Sequence, residues 1–192
     1  VLLKLDFEKA YDRVNWEFVC EVLIKKGFDA GFVHRIMHLV CSGHTAVTIN
    51  GTMGNFFRNK RGLRQGDQSS PLIFNFVVDA LAAMINKSRA AGHIRGLIPH
   101  LIPGGVTHLQ YVDDTMLLFE PDDHSIASIK LLLLAFEILS GLKINFLKSE
   151  VITIGIGDHE SRWIANMLNC KIGKFPIKYL GLPISHKNLT IA

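Results

Sequence analysis

Val106-Thr107-His108-Leu109-Gln110, then Tyr111-Val112-Asp113-Asp114, then Thr115-Met116-Leu117-Leu118-Phe119 read together as one β-hairpin. The two outer runs are rich in Val, Leu, Thr and Phe and too short to be helices, so they pair as antiparallel strands with two adjacent carboxylates at the tip. Neighbouring negative charges raise each other's proton affinity unless a cation neutralises them, and an aspartate pair held this way suits a divalent metal. An ordinary Asp-rich β-turn fits the tetrapeptide equally well. The balance shifts with a third aspartate, Asp6, at the exit of another apolar run, Val1-Leu2-Leu3-Lys4-Leu5, which reads as a central strand.

Working outward, the chain has 192 residues, enough for one domain with a sizeable core. It is 48% hydrophobic with a mean hydropathy of +0.25, yet no apolar run reaches the ~18 residues of a membrane span. The excess is expected to be surface covered by neighbours outside this stretch. The opening at Val1 inside a strand pattern and the stop at Ala192 fit a piece of a longer chain, without a signal peptide. The net charge of +4 suits an anionic partner such as nucleic acid without establishing one. Cys20, Cys41 and Cys170 match neither a disulfide framework nor a zinc pattern and read as buried free thiols in a reducing compartment. His34 and His38 share a helix face but have Arg35 where the zinc signature needs Glu.

Asn15 is expected to cap a helix carrying Trp16, Val19, Leu23 and Ile24, ended by Gly27 in the left-handed conformation. A second helix over 31–41 is expected to bury Phe32, Ile36 and Leu39. Runs 45–49 and 55–59 flank Asn50-Gly51, a hairpin signal with a loop extending to Gly54. A basic, flexible stretch over 58–64 follows. The donor-rich turn Gly62-Leu63-Arg64-Gln65-Gly66-Asp67 precedes Ser70-Pro71, which opens an apolar, buried helix over 71–89 with Asn75, Asp79 and Asn86 as its polar stripe. Residues 92–105 form a loop. After the aspartate hairpin, 123–140 reads as an amphipathic helix closed by Gly141, its run 131–136 assigned to the core. A strand over 151–154, a helix over 158–168 and the segment 178–183 complete the chain. Hairpins interspersed with helices favour an α+β fold, helices on a mostly antiparallel sheet.

Phosphoryl transfer onto a hydroxyl needs in-line positioning and charge neutralisation more than covalent help. Two divalent ions ~3.5 to 4 Å apart supply that, and Asp6, Asp113 and Asp114 are the carboxylates available to hold them. The order Leu5-Asp6-Phe7-Glu8-Lys9-Ala10-Tyr11-Asp12, then Gly62-Leu63-Arg64-Gln65-Gly66-Asp67, then Tyr111-Val112-Asp113-Asp114 resembles the reverse transcriptase of non-LTR (LINE-type) retrotransposons, of the sort abundant in plant genomes. Ser140-Gly141-Leu142-Lys143-Ile144-Asn145 with Lys148-Ser149, and Lys178-Tyr179-Leu180-Gly181, resemble that family's next two motifs. The likeness covers nearly the whole chain, and five blocks in order are far more specific than a lone YxDD.

The resemblance implies one domain over 1–192, a polymerase palm with helices packed on one face of its sheet and part of the fingers. The N-terminal fingers and the thumb would lie outside it. It implies RNA-directed DNA polymerisation on an RNA template from a DNA primer with deoxynucleoside triphosphates, using two Mg²⁺ ions, for which Mn²⁺ substitutes. By the same resemblance Asp6 and Asp113 would coordinate both ions, Asp114 would support them, and the Phe7 carbonyl would complete one shell. Tyr11 matches the bulky residue that excludes a ribose 2′-hydroxyl, or is a core aromatic. Gln65 and Gly66 match the turn against which nucleotide and template lie. Arg64 matches a phosphate contact, or belongs to a solvated basic loop. Lys148 matches a proposed proton donor to pyrophosphate, or is a surface lysine. Tyr179, Leu180 and Gly181 match the primer grip. An intracellular location follows, and a nuclear one by resemblance alone; no membrane partner is implied.

Two departures stand out. Gln68-Ser69-Ser70-Pro71 replaces the family's Pro-Leu-Ser-Pro, which removes a proline constraint from the turn, and Val112 stands where Ala is commoner. No endonuclease or RNase H sequence is present in the chain. Two alternatives share the motifs: a non-catalytic remnant that binds nucleic acid or protein, and a group II intron maturase, which would carry a basic maturase domain further along.

Overall fold

The computed structural model describes residues 1–185. The chain opens with β1 (Leu2–Leu5) and passes through a short α1 (Ala10–Arg13) into α2 (Trp16–Lys25) and α3 (Ala30–Cys41). Asn15 caps α2 by accepting from the Glu17 N–H, and Asp29 caps α3 by accepting from the Phe32 N–H. Four two-residue strands follow: β2 (His44–Thr45), β3 (Thr48–Ile49), β4 (Thr52–Met53) and β5 (Phe57–Arg58). Then come α4 (Ser70–Ala90), β6 (His108–Tyr111), β7 (Asp114–Leu118), α5 (Asp123–Ser140), β8 (Glu150–Ile152), α6 (Asp158–Leu168), β9 (Lys171–Ile172), β10 (Ile177–Tyr179) and β11 (Leu182–Ile184). The α+β class is as expected.

The residues group into two compact units. The first, Val1–Glu8, Ala82–Ala135 and the described residues from Ile144 onward, holds a five-stranded sheet in the order β6-β7-β1-β8-β9. Its pairs are antiparallel apart from β8 with β9. On one face Leu2, Met116, Ile152 and Ile177 form a buried cluster, with Leu118, Phe175 and Tyr179 packed against it. Ile177 and Tyr179 come from the β10–β11 hairpin, and the Lys4 ammonium donates to the Lys178 carbonyl at 2.9 Å, so this hairpin lies on that face. Side chains alternate along β1, which places Leu3 and Leu5, both buried, on the opposite face.

The second unit, Lys9–Leu81 with Phe136–Lys143, is built on α2, α3 and the first half of α4. Phe28 stacks on Phe32 and meets Phe76 edge to face, and Lys26 pairs with Asp79 and lies 5.7 Å from the Phe76 ring centre. These contacts fix the end of α2 against α4.

Several local expectations change. Leu39 is 61% exposed and Ile24 is exposed, because Val33 in α3 and Val19, Val22 and Leu23 in α2 fill the buried stripes. Asn50-Gly51 is a two-residue turn with both φ positive, and β3 pairs β4 directly across it, so Thr52 and Met53 belong to a strand and not to a loop. β2 and β5 pair outside them. Helix α4 begins at Ser70, before Pro71, and Leu72 heads its exposed stripe with Asn75, Asp79 and Asn86. In α5 the buried apolar residues are Ile126, Ile129, Leu133 and Phe136, while Leu131 and Leu134 are exposed. The run 131–136 is therefore only partly core. Its apolar residues surround the helix and leave no polar side to mark the buried face. The strand expected over 151–154 is β8, which starts one residue earlier and ends at Ile152.

Candidate active site

In the first unit the β6–β7 ladder runs to Tyr111 opposite Asp114, so Val112 and Asp113 alone form the turn. Val112 is held at φ +52°, a conformation that costs a β-branched residue steric energy and concentrates at functional sites. Asp113 is exposed and Asp114 half-buried. The last pair between β1 and β7 is Leu5 opposite Thr115, so one further step brings Asp6 to the level of Asp114. Asp6 shares its side of the strand with Leu2 and Lys4, the face that carries the β10–β11 hairpin. Residues from distant parts of the sequence are thus neighbours through strand register.

Tyr179 reports the same juxtaposition. Burial pushes its phenol above the usual range, and the negative charge of Asp114 pushes it the same way. The turn after it, Leu180 and Gly181, has φ of +50° and +82°, the geometry of a tight hairpin.

Among the described residues none bonds to or forms an ion pair with the carboxylates of Asp6, Asp113 or Asp114. Unpaired acidic oxygens at adjoining strand ends are the donor chemistry of a hard divalent cation. Among the described residues, however, no group of three or more His, Cys, Asp or Glu side chains is gathered as a metal cluster. The backbone places the three aspartates at one end of the sheet without closing their side chains on a common point.

Asp6 is anchored through its backbone. Its N–H donates to the Ser149 hydroxyl at 3.1 Å, and its carbonyl accepts from the Asn145 N–H at 2.7 Å. Phe7 then bridges to Ile144. Lys148 is exposed in the same turn, its N–H bonded to the Asn145 carbonyl at 3.0 Å. Ser149, 1% exposed, was invisible as a site residue in the sequence beyond its place beside Lys148.

Tyr11, Arg64, Gln65 and Gly66 belong to the second unit. Tyr11 is half-buried and stacked on Phe74, with ring centres 4.7 Å apart and 16° between planes. The turn that carries Arg64, Gln65 and Gly66 is stitched to the segment after Tyr11: Gly62 N–H donates to the Val14 carbonyl at 2.8 Å, Leu63 N–H to the Tyr11 carbonyl at 2.7 Å, and the Trp16 indole to the Gly62 carbonyl at 2.7 Å. Gly62 has φ +88°, and a Cβ there would lie 2.7 Å from the Asp12 carbonyl oxygen. Only glycine fits. Gln65 extends its amide to Asp12 at 3.4 Å, and Asp12, Thr45, Asn59 and Arg61 to Gln65 line an open cleft of about 440 Å³.

Asp67 supplies the constraint that the missing proline would have given. Its carboxylate accepts from the Ser69 N–H at 3.0 Å and the Ser69 hydroxyl at 2.9 Å, and its carbonyl accepts from the Ser70 N–H. Those Ser69 bonds, with a smaller contribution from Arg64, hold its carboxyl below the usual range although it is open to solvent. No helix among the described residues is long and apolar enough to cross a membrane.

Residues 1–184 match the family described as reverse transcriptase (RNA-dependent DNA polymerase). The chain is 29% identical over 154 residues, 80% of its length, to a Retrovirus-related Pol polyprotein from the type-1 retrotransposable element R2 of Popillia japonica, and covers 21% of that protein. A second such polyprotein from the same organism is 26% identical over 121 residues, 63% of this chain and 19% of the relative. The chain therefore spans about a fifth of the length of these relatives. Its fold is similar to apo telomerase from Candida tropicalis truncated from the C-terminal domain, with a TM-score of 0.60 at 18% identity, over 82% of this chain and 31% of the other.

Proposed function

Because the chain belongs to the reverse transcriptase (RNA-dependent DNA polymerase) family, we propose that it is the palm, with part of the fingers, of a non-LTR retroelement polymerase. Its reaction is templated addition of deoxynucleotides to a primer 3′-hydroxyl on RNA. The observation that carries this reading is the register that sets Asp6 level with Asp114 beside the strained Val112-Asp113 turn.

Asp6 and Asp113 would hold two divalent ions, Mg²⁺ or Mn²⁺ in its place, with Asp114 and the Phe7 carbonyl supporting. Such ions neutralise charge on the attacking and leaving oxygens. The protein's own part is positioning. Asp6 just past the end of β1 and Asp113 in the β6–β7 turn are both carried by the sheet, which would limit how far their backbone must move when substrate arrives. Tyr179, Leu180 and Gly181 sit on the face shared with Asp6, where a primer terminus would be gripped. In the other unit, Gln65 and Gly66 would receive template and incoming nucleotide, Arg64 a phosphate, and Tyr11 would stand under the sugar. Lys148, exposed in its turn, would donate a proton to departing pyrophosphate.

Primer extension on an RNA template tests the reading. The chain is assayed alone and in a chimera that supplies the flanking regions of an R2 relative, each with Asp113 intact and as Asp113→Ala. Mg²⁺-dependent extension by the chimera that vanishes with Asp113→Ala is expected, with little from the chain alone. Binding of primer-template should weaken steeply with salt, as phosphate contacts do. Extension absent from every form, with primer-template still bound, would replace the enzyme reading by the non-catalytic one.

A further inference from the structure

Asp6 lies one residue beyond the last pair of β1 with β7 and two beyond its last pair with β8. The ladder therefore no longer fixes its backbone, and a strand end left to itself frays. What holds it is the turn over 145–149, together with the bridge from Phe7 to Ile144. The Ser149 hydroxyl donates to the Asn145 carbonyl at 2.9 Å, and the same carbonyl accepts the Ser149 N–H at 2.8 Å. With its proton committed there, the hydroxyl oxygen has its lone pairs left for the Asp6 N–H, 3.1 Å away. The Asn145 N–H takes the Asp6 carbonyl on the other side. The Asn145 side chain accepts from the Lys148 N–H at 3.2 Å and stiffens the turn that makes both contacts.

We propose that Ser149 is a positioning residue for Asp6, fixing the strand end so that its carboxylate is presented to a divalent cation. This rests on reading Asp6 and Asp113 as the metal-holding pair. Ser149 touches neither substrate nor metal; it acts through the Asp6 backbone. Because the site is closed to solvent, with Ser149 1% exposed, removing the hydroxyl leaves the Asp6 amide without a ready replacement partner.

The test compares the chain with Ser149→Ala, Ser149→Thr and Asp113→Ala, using Mn²⁺ as the probe. Free Mn²⁺ is measured by electron paramagnetic resonance, and amide exchange is followed at Asp6, with Leu3 and Leu5 as controls. Ser149→Ala should exchange the Asp6 amide roughly tenfold faster with the controls unmoved, and weaken Mn²⁺ binding about 10 to 100-fold, the usual loss when a group supporting a ligand is removed. Ser149→Thr, which keeps the hydroxyl, should restore both. If Ser149→Ala does not fold, Ser149→Cys carries the same comparison at nearly unchanged volume. Mn²⁺ binding unaffected by Ser149→Ala but lost in Asp113→Ala would overturn the role of Ser149 and leave the metal reading standing. Binding insensitive to Asp113→Ala would overturn the metal reading and the role of Ser149 with it.

Discussion

Replacing Gly62 by Ala should unfold the second unit more readily than the same change at Gly66, four residues on. Both glycines sit at nearly the same positive φ, +88° and +89°, so the backbone cost of a side chain, about 1–2 kcal/mol, is common to the two. They differ in surroundings. At Gly66 a Cβ meets nothing within 4 Å, whereas at Gly62 it meets the Asp12 carbonyl oxygen at 2.7 Å and the Asp12 carbonyl carbon at 3.0 Å. These are backbone atoms and cannot rotate aside. Overpacking of this kind costs about 1–3 kcal/mol. The forced shift also strains the bonds from Gly62 N–H to Val14 and from the Trp16 indole to Gly62, each worth about 0.5–1.5 kcal/mol net. Gly62→Ala should therefore cost about 3–5 kcal/mol and Gly66→Ala about 1–2. Urea unfolding followed by tryptophan fluorescence measures both, and Trp16 reports directly on the stitched turn. Equal losses, to within about 0.5 kcal/mol, would mean that the turn is not held against Asp12 and that Gln65 is not positioned this way.

Leu133→Ala, at a fully buried position of α5, should cost about 2–5 kcal/mol, while Leu131→Ala, on the exposed side, should stay within about 0.5 kcal/mol; the same urea titrations compare them. Tyr11→Ala should weaken the second unit through loss of the Phe74 stack, worth about 0.5–1.5 kcal/mol beyond area. In the active chimera it should also admit ribonucleotides more readily, read from matched deoxy- and ribonucleotide incorporation; unchanged discrimination would return Tyr11 to a purely structural role. Asp67 has a depressed carboxyl pKa in the folded chain, so its contribution is present above the unfolded value of about 3.9 and is lost as pH falls through the folded value. Asp67→Asn should flatten the acid limb of a stability-versus-pH curve from about pH 5 downward, and an unchanged limb would refute the Ser69 bonds as its cause.

What the sequence determined by itself was local. The aspartate hairpin, the bounds of α5 and α6, and the cap at Asn15 all depend on residues within a few positions of one another, where backbone preference and side-chain period act directly. The family motifs were legible for the same reason, since each is a short block. The buried side of α5 was not, because Leu residues surround it and only neighbouring elements choose which are covered. Nor was the parallel pairing of β8 with β9. Above all, tertiary structure decided that Asp6 stands level with Asp114, that Tyr179 lies near enough to feel its charge, and that Ser149 holds the Asp6 amide. Hydrogen bonds between distant strands set those relations. Shifting the register of β1 on β7 by one residue would turn every side chain on β1 to the other face, and nothing in the composition of β1 alone records which register the packed core selects.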